Sequence, residues 1–247
     1  MVPMPLSREQ WERYARNIDV VGLGVAGQER LLASSVLVIG AGGLGSAALP
    51  YLAAAGVGRI GVVDGDVVEL GNMQRQVLHT ELGASKAVSA GERLSALNPG
   101  VVVEVFPEHL NSQRALELFP RFDLVLDCCD TFEAKFLIAD AASAAGRPVV
   151  WASAVGMQGQ CSVFGVPDAH GDVLHLRDLI PDEPPEGTYP RAAEVGVLGA
   201  VVGQIGTLQA TEAIKLLAGL GEPLVGRVAV FDALRCRWDH LLLRRSR

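Results

Sequence analysis

The stretch VLVIGAGGLGSAALPYLAAAGVGRIGVVDGD, residues 36–66, joins two apolar segments through a glycine-rich turn and an Ala/Leu-rich run. Four apolar residues, Val36 to Ile39, read as a buried strand and run directly into Gly40-Ala41-Gly42-Gly43-Leu44-Gly45. An Ala/Leu-rich helix follows, then a second apolar strand, Ile60 to Val63, that ends at Asp64. In this spacing Gly40 permits a tight turn, Gly42 lets backbone approach a phosphate, and Gly45 allows close helix packing. The helix start offers unpaired N–H groups and a favourable field for an anion. Asp64 stands near the distance at which a carboxylate holds a ribose. Strand, turn, helix and acidic residue together predict a bound nucleotide; the alternative is a glycine-rich turn that serves packing alone.

Outward from this unit, the chain repeats a strand-then-helix rhythm. Helices are predicted over Lys86–Leu97, Ser112–Leu118 and Phe132–Ala145, and strands over Val101–Val105, Asp123–Asp127 and Pro148–Ala152. Asn98-Pro99-Gly100 stops the first of these helices. Open parallel sheets bind ligands over the carboxyl ends of their strands, which makes Asp64, Asp66, Asp127 and Asp130 a candidate group. Ahead of the unit, residues 7–34 carry helical spacing broken by GLGVAG. Beyond Gln160 the rhythm changes. CSVFGV (161–166) and DVLHL (172–176) read as strands, and residues 177–192 form a proline-rich acidic crossing. Val195–Leu217 reads as a long helix almost devoid of charge before Glu212, so it is buried in the core or against a partner. Val228–Phe231 and Cys236–Leu243 close the chain as strands. The expected fold is α/β, a Rossmann-like, mostly parallel sheet flanked by helices, with an antiparallel carboxy-terminal extension. Its parts are an amino-terminal helical arm (1–35), a nucleotide-binding region (36–159) and an extension of the same domain (160–247) for partner binding and dimerisation.

The bulk composition agrees. Of 247 residues 49% are apolar and only 5% aromatic, a mix suited to small-residue helices packed on a parallel sheet. Gly, Pro or charge interrupts every apolar run before membrane-spanning length, and MVPMPLSREQ lacks the order of a signal peptide, so a cytoplasmic protein is expected. A formal charge of −7 argues against direct nucleic-acid binding, and the LLLRRSR end reads as a solvated tail. Cys128, Cys129, Cys161 and Cys236 form no CxxC. Buried packing is the expected role of the first two.

Two further groups carry chemistry. Asn72-Met73-Gln74-Arg75-Gln76 follows closely on Asp64-Gly65-Asp66. A nicotinamide slot has no use for such a polar cluster beside the sugar, whereas Arg75 and Lys86 suit the phosphates of ATP. Their alternatives are a surface arginine and an ordinary first-turn lysine. Asp130 follows a strand and precedes a helix, where it either binds Mg²⁺ or caps the helix.

On these residues the chain resembles the ThiF/MoeB/HesA family, bacterial relatives of ubiquitin-activating enzymes. The matching pieces are RYARN (13–17), GQE (27–29), GAGGLGS (40–46), AAGVG (54–58), DGDVVELGNMQRQ (64–76), Lys86, LNP (97–99), LDCCD (126–130) and residues 194–219. The resemblance implies an ATP- and Mg²⁺-dependent adenylyltransferase. Its substrate would be the carboxy-terminal glycine of a ubiquitin-like sulfur carrier ending in Gly-Gly, with release of pyrophosphate. It implies that Gly40, Gly42 and Gly43 line the phosphate site and that Asp64, with Asp66 beside it, holds the ribose. Asn72, Arg75 and Lys86 would grip the triphosphate, Gln76 would belong to the same site, and Asp130 would place Mg²⁺. Arg16 resembles an arginine donated by the other subunit of a homodimer, which implies a shared active site.

The departures are equally specific. Many members carry two CxxC pairs for a structural zinc; GDVLHLRDLI (171–180) and LLLRRSR (241–247) have none, and His170, His175 and His240 do not restore ligand spacing, so no zinc is expected. Relatives that bond covalently to their carrier have a cysteine where this chain reads Tyr189-Pro190-Arg191-Ala192-Ala193. The chemistry is therefore expected to stop at the acyl-adenylate, leaving any sulfur step to a separate sulfurtransferase. Thr131 stands where relatives often have asparagine. Other readings are adenylation of a peptide or tRNA substrate, a nucleotide-binding partner protein without turnover and, lower, an NAD-dependent oxidoreductase.

Overall fold

The computed structural model describes residues 6–185, 188 and 192–245, the side chains of residues 192 and 193 excepted. Tyr189-Pro190-Arg191 and the side chains of Ala192 and Ala193 thus lie outside the described residues. Two helices, α1 (Arg8–Ile18) and α2 (Gly24–Ala33), precede the sheet. Next come β1 (Ser35–Ile39), α3 (Gly43–Ala55), β2 (Arg59–Val63), α4 (Lys86–Leu97), β3 (Val102–Phe106), α5 (Ser112–Leu118), β4 (Leu124–Asp127), α6 (Phe132–Ala145) and β5 (Val149–Val155). The remainder is β6 (Gln158–Phe164), the short α7 (Leu176–Leu179) and α8 (Ala192–Val195), the long α9 (Gly199–Ala218), β7 (Arg227–Asp232) and β8 (Arg237–Leu242).

One sheet runs β3-β2-β1-β4-β5-β6-β7-β8. Strands β1 to β5 pair in parallel, and β6 to β8 continue the sheet antiparallel, as the sequence predicts. Period-2 alternation divides each central strand between two cores. Val36 and Val38 face the core under α3, α4 and α9, while Leu37 and Ile39 face the core under α5 and α6. Both faces being covered explains why β1 reads as an unbroken apolar run rather than an alternating one. Chain order reverses between β1 and β4, so the helices following them leave on opposite faces and open a crevice above the strand ends.

α9 settles where the uncharged helix goes: it lies in the core. Gly206 of α9 fits so closely on α3 that a Cβ there would stand 2.4 Å from the Leu44 carbonyl oxygen. The helix begins at Gly199, later than the expected Val195, because Gly196 adopts φ +78° and separates it from α8. A second expectation is corrected. DVLHL is not a strand: Val173 makes one isolated bridge, to Pro167, which has no N–H to extend a ladder. The alternation was real, since Leu174 and Leu176 are buried. However, the Asp178 carboxylate accepts the His175 N–H (2.8 Å) and starts α7 instead.

Candidate nucleotide site at the strand ends

The crevice holds a cavity of about 640 Å³ lined by residues from β1, β2, β5 and β6, from the loops after β1 to β4, and from the starts of α3, α4, α6 and α9. It gathers Gly40, Gly42, Gly43, Asp64, Asp66, Arg75, Gln76, Lys86 and Asp130, nearly all of the sequence-predicted site. The turn at its centre is fixed by its own packing. Gly40 has φ +96°, and a Cβ on Gly45 would stand 2.1 Å from the Gly40 carbonyl oxygen, so side chains are excluded at both. Gly42 is different. A Cβ there would meet only Gln76 Nε2 within 4 Å, at 3.6 Å, so the protein's own contacts do not demand glycine. Gly42 lies on the cavity wall, and the space a side chain would fill is open to the cavity.

Asp64 ties the turn to β2. Its Oδ2 accepts the Ala41 N–H (2.7 Å) and its Oδ1 the Asp66 N–H (2.9 Å). Lys86 opens α4, and the Lys86 ammonium, nearly buried, donates to Asp66 Oδ2 at 2.9 Å. It is therefore not an ordinary solvated first-turn lysine. Arg75 donates to the Gly71 carbonyl (2.9 Å) and reaches the cavity wall. Gln76 is buried, and its Oε1 has no hydrogen-bond partner among the described residues. Such a polar group beside a cavity is costly unless a ligand or water completes it.

Asp130 had two roles on sequence, and the geometry separates them. The cap of α6 is Thr131, whose Oγ1 accepts the Ala134 N–H (3.3 Å). The Asp130 carboxylate is left exposed on the cavity wall with no hydrogen-bond or ion-pair partner among the described residues. Asp127, grouped with it on sequence, does not line this cavity. It is buried beneath and paired with Lys135, whose Nζ lies 3.2 Å from Oδ2 and also donates to the Ala152 carbonyl (2.6 Å). Burial pushes the Asp127 carboxyl up, while Lys135 pulls it down.

Asn72 and Arg16 are not brought to this wall. The Asn72 side chain accepts the Glu69 N–H (3.1 Å), and its carbonyl accepts the N–H groups of Arg75 (3.0 Å) and Gln76 (2.9 Å), so it supports the turn that presents them. Arg16 projects from α1 with its side chain 96% exposed and pairs with Asp19 at 3.3 Å. Its helix is nonetheless docked. Tyr14 is buried and accepts from Asn98 Nδ2 (2.8 Å), and Arg13 donates to the Leu97 carbonyl (3.2 Å).

Sequence reasoning missed Lys135 and the far wall formed by Glu108–Leu110, Ser153–Val155, Gln160 and Val197, and His79, which lies against the Ala41 carbonyl rather than on the cavity wall. A lone lysine in the apolar FEAKFLIADAA was the available signal for Lys135. Cys128 and Cys129 border the cavity, but burial, reinforced by the Asp127 charge, raises both thiols, which disfavours the reactive thiolate. No helix among the described residues is long and apolar enough to cross a membrane.

The chain is similar to known proteins in sequence and in fold. The ThiF family matches residues 14–247. The chain is 47% identical over 243 residues to the probable adenylyltransferase/sulfurtransferase MoeZ of Mycobacterium tuberculosis, covering 98% of this chain and 62% of that protein. It thus spans less than two thirds of that relative's length. It is 45% identical over 246 residues to the sulfur carrier protein adenylyltransferase of Thermus thermophilus, covering 98% of this chain and 91% of the relative. Among solved structures, PaaA superposes with a TM-score of 0.79 at 23% identity, over 99% of this chain and 77% of that one. E. coli MccB crystallised with ATP gives 0.74 at 20% identity, over 90% and 67%. At those identities the structural likeness concerns the fold.

Proposed function

The chain belongs to the ThiF family, and from that membership we propose that it is an ATP-dependent adenylyltransferase acting on the carboxy-terminal glycine of a ubiquitin-like sulfur carrier. The observation that carries the reading is the wall on which Gly42, Arg75, Lys86 and Asp130 meet at the reversal of strand order. The names of the Thermus and mycobacterial relatives support the same activity.

The chemistry suits the residues. A carboxy-terminal carboxylate is ionised at neutral pH, so it needs neither a base nor a protein nucleophile. One carboxylate oxygen forms a bond to the α-phosphorus of ATP, the bond from that phosphorus to the bridging oxygen breaks, and pyrophosphate leaves with the electron pair. The product is a mixed anhydride. What the protein must supply is in-line placement and compensation of charge on phosphate oxygens. In this reading Gly42 and Gly43 approach the phosphates through backbone N–H groups, and Arg75 and Lys86 hold them as cations. Gln76 adds a carboxamide, while Asp64, with Asp66 beside it, faces the ribose. Lys86 would exchange part of its pairing with Asp66 for phosphate. Asp130, a carboxylate without a partner, suits a hard divalent cation and would hold Mg²⁺, which when bound neutralises phosphate charge. Arg16 would enter the active site of a second subunit, which fits a docked helix that presents it outward.

With both cavity thiols raised, the mixed anhydride is offered to a separate sulfurtransferase or another sulfur donor. The test is exchange of labelled pyrophosphate into ATP with carriers ending in Gly-Gly. Carrier-stimulated exchange that falls about 100-fold or more in Arg75→Ala is expected. ATP binding without exchange for any carrier would contradict the proposal.

A further inference from the structure

His79 is buried beneath the glycine-rich turn, 1% exposed, and no step of the proposed chemistry uses it. Its Nε2 lies 2.7 Å from the Ala41 carbonyl oxygen and its Nδ1 3.1 Å from Ser89 Oγ. A carbonyl oxygen can only accept, so Nε2 carries the proton and Nδ1 accepts from the serine hydroxyl. Ser46 Oγ makes a longer approach to the same carbonyl, 3.3 Å.

The Ala41 carbonyl belongs to the same peptide unit as the Gly42 N–H. In a trans peptide the two point in opposite directions. A donor that holds the carbonyl down into the core therefore turns the Gly42 N–H outward, and that N–H makes no hydrogen bond among the described residues. Gly42 borders the cavity and, being glycine, gives its peptide little intrinsic preference for this orientation. On the other side of Ala41, its N–H is held by Asp64 (2.7 Å). Ser89 lies one turn beyond Lys86 on α4, so the imidazole also joins the turn to the helix that carries the cation.

We infer that His79 is a positioning residue that aims the Gly42 N–H at a phosphate oxygen of the bound nucleotide by holding the Ala41 carbonyl. The inference rests on the adenylylation reading for the identity of the ligand, and the experiment separates the two. Gln can place an amide N–H near the position of Nε2, whereas Asn reaches only to the position of Nδ1. Binding of ATP and of adenosine is measured by calorimetry for the wild type, His79→Gln, His79→Asn and His79→Leu, each checked for folding by thermal unfolding. The ATP dissociation constant is expected to rise about tenfold or more in the Asn and Leu variants, the loss of one hydrogen bond to a charged group. It should stay within about threefold in the Gln variant, and adenosine, which has no phosphate, should bind all four alike. ATP binding unchanged in Asn and Leu, equal loss for ATP and adenosine, or a Gln variant no better than Asn would each overturn the inference. A wild-type protein that binds no ATP would overturn the adenylylation reading and this inference with it.

Discussion

Asp127 and Lys135 are the two residues whose charges are most deeply committed. Their side chains are 1% and 4% exposed, and Asp127 also accepts the Cys129 N–H (3.0 Å), which sets the turn leading to Asp130. Removing one partner strands the other charge in the core. Lys135→Met is expected to cost about 3–5 kcal/mol in urea unfolding, and Asp127→Asn combined with Lys135→Met should cost less than the single change. His79 gives a pH signature. Burial, the largest influence, holds its imidazole below the ordinary value of 6.5; the Ala41 carbonyl and Asp64 oppose that, and Lys86 adds to it. Below pH ~6.5 the unfolded chain takes up a proton that the folded chain resists. The stabilisation is therefore full above that pH and declines as pH falls below it. Urea midpoints measured from pH 7.5 to 5.5 should fall more steeply for the wild type than for His79→Gln, and parallel slopes would contradict this. The cavity glycines, Arg75, Lys86 and Asp130 were legible because their signal is local, a loop at a strand end. His79 and Lys135 were not, since their carbonyl partners lie 38 and 17 residues away and no periodicity encodes that pairing.

At the scale of elements, α3 and α9 hold the site in shape. Leu44, whose carbonyl nearly touches Gly206, lies in the first turn of α3, the turn that would face a phosphate. Gly206→Ala forces backbone apart rather than a flexible side chain. It is expected to cost about 1–3 kcal/mol and to weaken ATP binding, whereas unchanged urea stability would show that the helices are not so tightly set. Thr131→Ala removes the cap of α6 and should cost about 1 kcal/mol, with Thr131→Asn restoring it, both read from urea midpoints. The ends read from sequence for α4, α5 and α6 coincide with the observed ones; in the structure Ser85, Asn111 and Thr131 cap them, and an Asn-Pro-Gly or a glycine follows two of them. It misread DVLHL because alternation reports burial on one side, not the presence of a neighbouring strand. α3 also passes through Pro50 without ending, since packing against α9 outweighs the missing hydrogen bond.

Across the whole molecule, strand order reverses between β1 and β4, and the described fold brings Gly42, Gly43, Arg75, Gln76, Lys86 and Asp130 to that reversal but not Asn72 or Arg16. The exposed Arg16 gives the assembly prediction. If it completes a neighbour's site, Arg16→Ala and Lys86→Ala are each inactive alone, but mixed subunits contain one intact site. Equal mixing should restore about a quarter of wild-type exchange, while no recovery after demonstrated subunit exchange would place Arg16 outside the site. Transfer of the α-phosphate of ATP to a carrier's terminal glycine is read from intact mass spectrometry of the carrier after incubation with ATP, Mg²⁺ and this protein. The carrier should become heavier by one adenylyl group, and this gain should be absent when the terminal glycine is deleted and when Asp130→Ala replaces the wild type. A carrier of unchanged mass, with ATP bound and no adenylate trapped, would contradict that transfer.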